Sequence, residues 1–259
     1  AGELTQAGAR WLGLGESAVG ALVASGGGDN MMSAIGGGAT RSGVVVLSLG
    51  TSATIFTRSN VPLADADGAI APFCDSTGAW LPLVCVMNAT GVLEEVSAAF
   101  GADLATLTDE AARVAPGCGG VTFVPYLIGE RVPDLPKAGG MLAGLRPGSL
   151  RRDVVFRAAL EGVALNLAWG VERLRALGVT VDTVRVVGGG ARNALWRTIL
   201  ADALAAPLVQ LAEPETAAFG AALQALWTAR RAQGERVTAD EVAQPWVHTS
   251  GATSEPNAQ

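Results

Sequence analysis

Histidine, lysine and cysteine are scarce in this sequence, and each scarcity removes a chemistry. His248 is the only histidine and lies in a polar carboxy-terminal stretch. Ser-His-Asp, Cys-His and histidine–metal chemistries therefore have no constellation to work with. Lys137 is the only lysine and follows a proline, which excludes a GxxxxGK phosphate-binding loop. Cys74, Cys85 and Cys118 are the three cysteines and show no CxxC spacing. An odd, sparse set reads as reduced thiols of a cytoplasmic protein, not as a disulfide framework or a zinc site. Charged residues make up 16% of the chain and the formal net charge is −6, so no basic footprint points to nucleic acid. No apolar run approaches the length of a membrane span, and no signal-peptide pattern opens the chain. Neither nucleic acid nor a membrane is an expected partner. The opening AGELTQAGARWLGLG has no initiator methionine and reads as entered mid-chain, so a fragment of a longer protein is expected.

What is present is apolar residue, 49% of 259, enough for the core of one domain or two small ones. Ala21–Ser25 reads as a short buried strand stopped by glycine. Residues 43–58 read as two strands around a Gly50-Thr51 turn. Residues 89–100 and 104–114 look helical, and 121–133 looks like a strand leaving into a loop. Asp153–Leu177 is the strongest helix, with Val163, Leu167, Val171 and Leu174 on one face, Asp153 as cap and Gly178 as stop. VDTVRVV, GGGAR and NALWRTILADAL then read as strand, turn and helix, and PLVQL and TAAFGAALQALWTARR as a further strand and helix. Alternation of this kind argues α/β architecture. The composition after about Trp246 suggests a frayed tail.

Several strands end in glycine clusters, and in open α/β sheets such ends gather around one ligand crevice. SGGGDNMMSAIGGG, residues 25–38, places Asp29 after three glycines. The carboxylate can accept a proton from a hydroxyl nucleophile, with bare backbone around it. It can equally cap a helix, the favoured reading of these fourteen residues alone. Ser48-Leu49-Gly50-Thr51-Ser52 is either a phosphate cradle built from N–H groups and the Thr51 hydroxyl or an ordinary tight turn. In GGGARN, Gly188, Gly189 and Gly190 let a flat or phosphorylated group lie against backbone at a helix start. Asn193 there can meet a base or cap the helix. GLGESA, residues 13–18, satisfies a dinucleotide-binding pattern, but the helical QAGARWL before it supplies the wrong context; it reads as a helix-ending turn. Glu94-Glu95 and Glu130-Arg131 read by default as solvated charges or local ion pairs.

The order of these pieces carries more than any one of them. GGGDN, SLGTS, YLIGERVP, a GGxLxGL stretch before the long helix, VVGGGARNALWRTILADAL and ETAAFGAAL together resemble the carboxy-terminal domain of the FGGY carbohydrate kinases. The resemblance spans roughly residues 1–248, with 249–259 as a flexible tail and the amino-terminal domain absent. It implies an α/β, ribonuclease-H-like (actin-type ATPase) domain, a mixed sheet flanked by helices. It further implies that Asp29 is the general base, with Asn30 beside it at the sugar. Gly50 and Thr51 would contact phosphate, and Gly189, Gly190 and Asn193 the adenosine. Thr90, between Ala89 and Gly91, would belong to a further nucleotide-contacting stretch.

ATP and Mg²⁺ are the implied cofactors, the metal being held through water or by the absent domain, with no metal ligand assigned in this chain. The implied partners are ATP, a small sugar and that amino-terminal domain, with a homodimer left open. GGGDN, Phe73-Cys74, Val86-Met87 and YLIGER are most similar to family members that phosphorylate ketopentoses, so D-xylulose is the expected sugar and D-xylulose 5-phosphate the product. Ribulose, glycerol or gluconate kinases, and a non-catalytic nucleotide-binding module of the actin-like superfamily, are the alternatives. Val154 stands where the family usually has a polar residue, and GERVPD replaces GERTPH; both bear on the sugar more than on the fold. The domain alone is expected to be inactive.

Overall fold

The computed structural model describes residues 2–257. Two short strands, β1 (Gly2–Glu3) and β2 (Leu22–Val23), pair antiparallel around helix α1 (Gln6–Trp11), apart from the main sheet. Helix α2 (Asp29–Gly36) leads into β3 (Gly43–Leu49), β4 (Ala53–Thr57), β5 (Ala71–Cys74) and β6 (Trp80–Val86). Helices α3 (Thr90–Phe100) and α4 (Leu104–Ala111) follow, then a small ribbon of β7 (Thr122–Val124) and β8 (Met141–Ala143). The second half is α5 (Arg152–Ala176), β9 (Val181–Val187), α6 (Ala194–Leu204), β10 (Leu208–Leu211), α7 (Thr216–Ala232), α8 (Ala239–Ala243) and β11 (Thr249–Ser254).

Seven strands form one mixed sheet in the order β11-β10-β9-β3-β4-β6-β5. β3 lies at its centre, parallel to β9 and antiparallel to β4. Every residue of VVVL in β3 is buried, as a strand covered on both faces requires. Within the edges, β6-β4-β3-β9-β10 is the order third, second, first, fourth, fifth, with the second strand reversed. This is the ribonuclease-H-like, actin-type ATPase arrangement. One face of the sheet packs Val45, Leu47 and Leu49 against Phe156, Leu160, Val163 and Leu167 of α5 and against α3 and α6. The other packs Val44, Val46, Phe56 and Leu83 under α2.

Helices α2 and α7 meet backbone to backbone. A Cβ on Gly36 would stand 2.0 Å from the Thr216 carbonyl oxygen, and one on Gly220 would stand 1.8 Å from that of Met32. Only two glycines admit such a crossing. The glycines that follow Asp29 thus clamp its helix in place, a separate task from the glycines that precede it.

Several expectations are corrected by the structure. Ala21–Ser25 is no buried strand: only Leu22–Val23 pairs, and both side chains are exposed. The α5 helix starts one residue earlier than expected, with Arg151 as N-cap and Asp153 inside the first turn. It is also long and apolar enough to cross a bilayer by length and composition, contrary to the reading of the sequence. However, 72% of its most apolar stretch is buried inside the fold, where the sheet and its neighbouring helices cover it. The tail after residue 248 is ordered in its first part, because Thr249–Ser254 pairs antiparallel with the otherwise open edge of β10. The dinucleotide-like GLGESA does end a helix: α1 is capped at Leu12, and Gly13 turns with φ +69°.

Candidate active site

β3, β9 and β10 all run toward one side of the molecule, and their carboxyl ends open into a cleft. β3 delivers the turn at Gly50, β9 the turn at Gly188 and β10 the loop at Pro214–Glu215. Gly188 has φ +96°, and a Cβ there would lie 2.4 Å from the Leu49 carbonyl oxygen. The two strand ends can therefore close on each other only through glycine.

The clamped helix α2 points its amino terminus into this cleft. Its N-cap is Gly28, whose carbonyl accepts the first helical bond from Met32 N at 2.9 Å. Asp29 is thus the first helical residue and not the cap. Its Oδ1 accepts only the neighbouring Asn30 N–H, at 2.8 Å, and the side chain is exposed to the cleft. Asn30 Oδ1 in turn accepts the Thr54 hydroxyl at 3.3 Å, which ties α2 to β4. Helices α2, α3 and α7 all begin here, and none has a side-chain cap. Their amino-terminal N–H groups and dipoles favour an anion.

Two cavities share the cleft. One, of about 380 Å³, is lined by Asp29, Asn30, Ser33, Gly50, Gly188 and Glu215, among others. The second, of about 720 Å³, is lined by Thr90, Leu93, Phe156, Gly189, Gly190 and Asn193 among others. Consecutive residues of the 188–190 turn border both. Asn193 serves two ends: its Oδ1 accepts Trp196 N at 3.0 Å as the α6 cap, and its Nδ2 donates to Thr108 Oγ1 at 2.9 Å. Thr51 lines neither cavity. Its carbonyl accepts Ala89 N at 3.0 Å while Gly50 O accepts Thr90 N at 3.0 Å, so this turn holds the start of α3.

Sequence reasoning missed Ser33, Thr54, Glu215 and Thr216 in the first cavity, and Leu104, Thr108, Phe156 and Trp196 in the second, while Ser48 and Ser52 of the SLGTS turn do line the first. ETAAFG carried a signal for Glu215 and Thr216. Nothing local marked Thr108 or Phe156, which arrive from α4 and α5.

Glu130 also departs from its sequence reading. It is 2% exposed, and it is not the partner of Arg131. Glu130 Oε1 accepts the backbone N–H groups of Met87 at 2.6 Å and Arg131 at 2.7 Å. Its Oε2 accepts Asn88 Nδ2 at 2.9 Å and Asn166 Nδ2 at 3.3 Å. The Arg131 side chain is exposed and reaches Cys85 Sγ at 3.3 Å. Backbone geometry sends the two neighbours apart, and a buried carboxylate needs donors on all sides. Through Met87 and Asn88, Glu130 braces the segment that leads into Ala89 and Thr90.

Residues 45–229 match the model of the carboxy-terminal domain of the FGGY family of carbohydrate kinases. The chain belongs to that family. It is 39% identical over 206 residues to a xylulose kinase of Haemophilus influenzae, a match covering 80% of this chain and 42% of that protein. Against a gluconokinase of Bacillus subtilis it is 29% identical over 235 residues, covering 85% of this chain and 46% of the relative. Among solved structures, a xylulose kinase from Bifidobacterium adolescentis superposes with a TM-score of 0.82 at 33% identity, over 94% of this chain and 48% of the other. This FGGY chain therefore spans about two-fifths to one-half of the length of these relatives.

Proposed function

We propose that the chain is the nucleotide-binding half of an ATP-dependent sugar kinase that converts a ketopentose, D-xylulose, to D-xylulose 5-phosphate. One observation carries this reading: the Asp29 carboxylate borders the same cavity as the Gly50 and Gly188 turns, and the 188–190 turn continues into the larger, more apolar cavity. Adenine and ribose fit the larger cavity, against Leu93, Phe156 and the glycine backbone, beside Asn193. The phosphates then run across the 188–190 turn toward Gly50 and the uncapped helix starts.

Asp29 orients the acceptor hydroxyl, held with help from Asn30, and takes its proton as the oxygen bonds to the γ-phosphorus. The bond from γ-phosphorus to the bridging oxygen breaks, and ADP leaves with that electron pair. Phosphoryl transfer of this kind asks chiefly for in-line placement and charge stabilisation, which backbone N–H groups and helix ends supply.

Among the described residues, no three or more His, Cys, Asp or Glu side chains gather to hold a metal. Asp29, whose second oxygen is unclaimed, would hold magnesium through water, with Glu215 the other carboxylate of its cavity. Bound so, magnesium would neutralise charge on the transferring phosphate.

Asp29→Ala in the full-length kinase should reduce turnover at least about a hundredfold while ATP binding, measured by calorimetry, persists. Near-normal turnover would return Asp29 to a purely structural role. The 259-residue chain by itself should show no sugar-dependent ADP release, because the relatives it matches are about twice as long; robust turnover would refute that. The gluconokinase likeness supports a second reading, gluconate as acceptor. A panel of D-xylulose, ribulose, glycerol and gluconate in an ADP-release assay separates the two.

A further inference from the structure

A second pair of cavities opens at the opposite end of the sheet, where β3 begins and α2 and α7 end. One, of about 660 Å³, is lined by Arg41, Arg58, Trp227, Arg231, Arg236 and Asp240 among others. The other, of about 320 Å³, is bordered by Arg41, Arg185 and Asp240. In a chain of formal charge −6 this is a concentration of guanidinium. The carboxylates in the lining are Glu235 and Asp240, and both are engaged. Glu235 pairs with Arg230 at 2.5 Å. Asp240 accepts the Thr40 hydroxyl at 2.5 Å and Gln244 Nε2 at 3.3 Å. Arg58 is matched by Asp75 at 3.5 Å.

Arg41, Arg185, Arg231 and Arg236 have no carboxylate within 4.0 Å among the described residues. Arg231 lies over the Trp227 ring, 5.5 Å from its centroid. The indole is itself fixed by its Nε1 donating to Val237 O at 2.8 Å. This braces the guanidinium face and leaves its N–H edge for a ligand. Arg185 is half-buried, and burial first, then the neighbouring charge of Arg41, pushes its pKa down against the opposing attraction of Asp240. Like charges held together at a recess are unfavourable until an anion joins them. Arginine forks match phosphate oxygens in pairs, and a recess of this volume admits a small molecule.

We propose that this arginine-lined recess binds a small anion of the diphosphate or bisphosphate class, and that α2 transmits its occupancy to the cleft. Two adjoining cavities with Arg41 common to both suit two linked phosphates. The path is short. Arg185 Nη1 donates to the Gly37 carbonyl at 2.8 Å, and Gly37 is the C-cap of α2. An anion that draws Arg185 toward itself alters the hold on one end of a rigid eight-residue helix whose first residue is Asp29.

The test is calorimetric titration of the 259-residue chain with inorganic pyrophosphate, against sodium sulfate at matched ionic strength. Saturable pyrophosphate binding is expected, weakened about tenfold or more in Arg41→Gln/Arg236→Gln. Both side chains are exposed, so folding should persist; a thermal melt without ligand checks this, and Arg236→Gln alone serves if the double variant unfolds. Hydrogen exchange of the Asn30–Ile35 amides should change on adding pyrophosphate to the parent chain and not to the variant. Absence of saturable binding overturns the site, as does binding indifferent to the arginines, which would put the anion in the cleft. An equal response to sulfate would mean an adventitious ion only and sinks the site as well. Binding with unchanged exchange in α2 would refute the transmission. Each readout is independent of sugar phosphorylation, so failure here leaves the kinase reading intact.

Discussion

Replacing Glu130 by glutamine separates two accounts of the same pair of residues. If Glu130 and Arg131 were a local surface ion pair, Glu130→Gln and Arg131→Gln would cost the same small amount, typically under about 1 kcal/mol. The buried arrangement predicts otherwise. The backbone N–H groups of Met87 and Arg131 cannot reorient, so the one oxygen of the substituted amide must face them. The new amide nitrogen then faces Asn88 Nδ2 and Asn166 Nδ2. Asn166 can turn its amide over, because its other partner is the rotatable hydroxyl of Tyr126. Asn88 cannot, because its nitrogen also donates to Gly129 O at 2.7 Å. One donor–donor clash therefore remains, and two charge-assisted bonds become neutral ones. The expected loss is about 2–3 kcal/mol, a fall in Tm of about 4–12 °C for a domain of this size. Arg131→Gln, whose side chain is exposed, should leave Tm nearly unchanged. Differential scanning calorimetry of both variants decides it; equal small effects would refute the buried network as the support of the segment entering α3.

Gly220→Ala should destabilise the chain by about 1–3 kcal/mol through overpacking, measured by denaturant unfolding, since its Cβ would meet main chain on α2; no loss would mean that the α2–α7 crossing relaxes freely. Asp65 supplies a pH test. Burial raises its pKa, but the Arg173 guanidinium and the N–H groups of Ile70 and Asp67 outweigh burial and hold the carboxyl below the usual range. Its contribution to stability is then complete above the ordinary carboxylate pKa and is lost as pH falls through the lower folded value. Arg173→Gln should accordingly move the acid-unfolding midpoint to higher pH, read by circular dichroism; an unmoved midpoint would remove the pair from the account.

The central sheet was legible because its determinants are local. VVVLSL, the Gly50 turn and VRVVGGG each state strand or turn within a few residues, and alternation with helices states α/β architecture, though not that β3 lies beside β9. β11 was not legible, because TSGATS is polar and lacks alternation; it is a strand only because β10 offers an unpaired edge. The bilayer-length apolarity of α5 was hidden by Arg157 and Glu161, which look like surface charges. In the fold they pair with each other at 2.6 Å, with Arg157 buried. The glycines before Asp29 marked it as a candidate, though alone they favoured a helix cap, and its neighbour Thr54 was not marked at all. Thr54 reaches Asn30 because the β3–β4 register sets Ser48 opposite Thr54, a fact of pairing that no short stretch contains.

The same distinction separates the tasks of the glycine clusters in this chain. Gly188 stands where a β-carbon would strike the Leu49 carbonyl, at the mouth of the cleft, and its absence of side chain serves the site directly. Gly36 stands at the far end of α2 and serves the site only by letting α7 fix that helix. A reading by composition weighs the two alike. What tells them apart is the neighbour each would strike. For Gly188 that neighbour is the buried backbone of Leu49, at the end of β3 beside the cavity; for Gly36 it is the backbone of a packed helix. Substitution at Gly188, which meets β3 backbone at a positive φ, should therefore cost stability and ligand binding together, read by thermal melt and ATP calorimetry. Substitution at Gly36 should instead cost stability and reach the cleft only through α2.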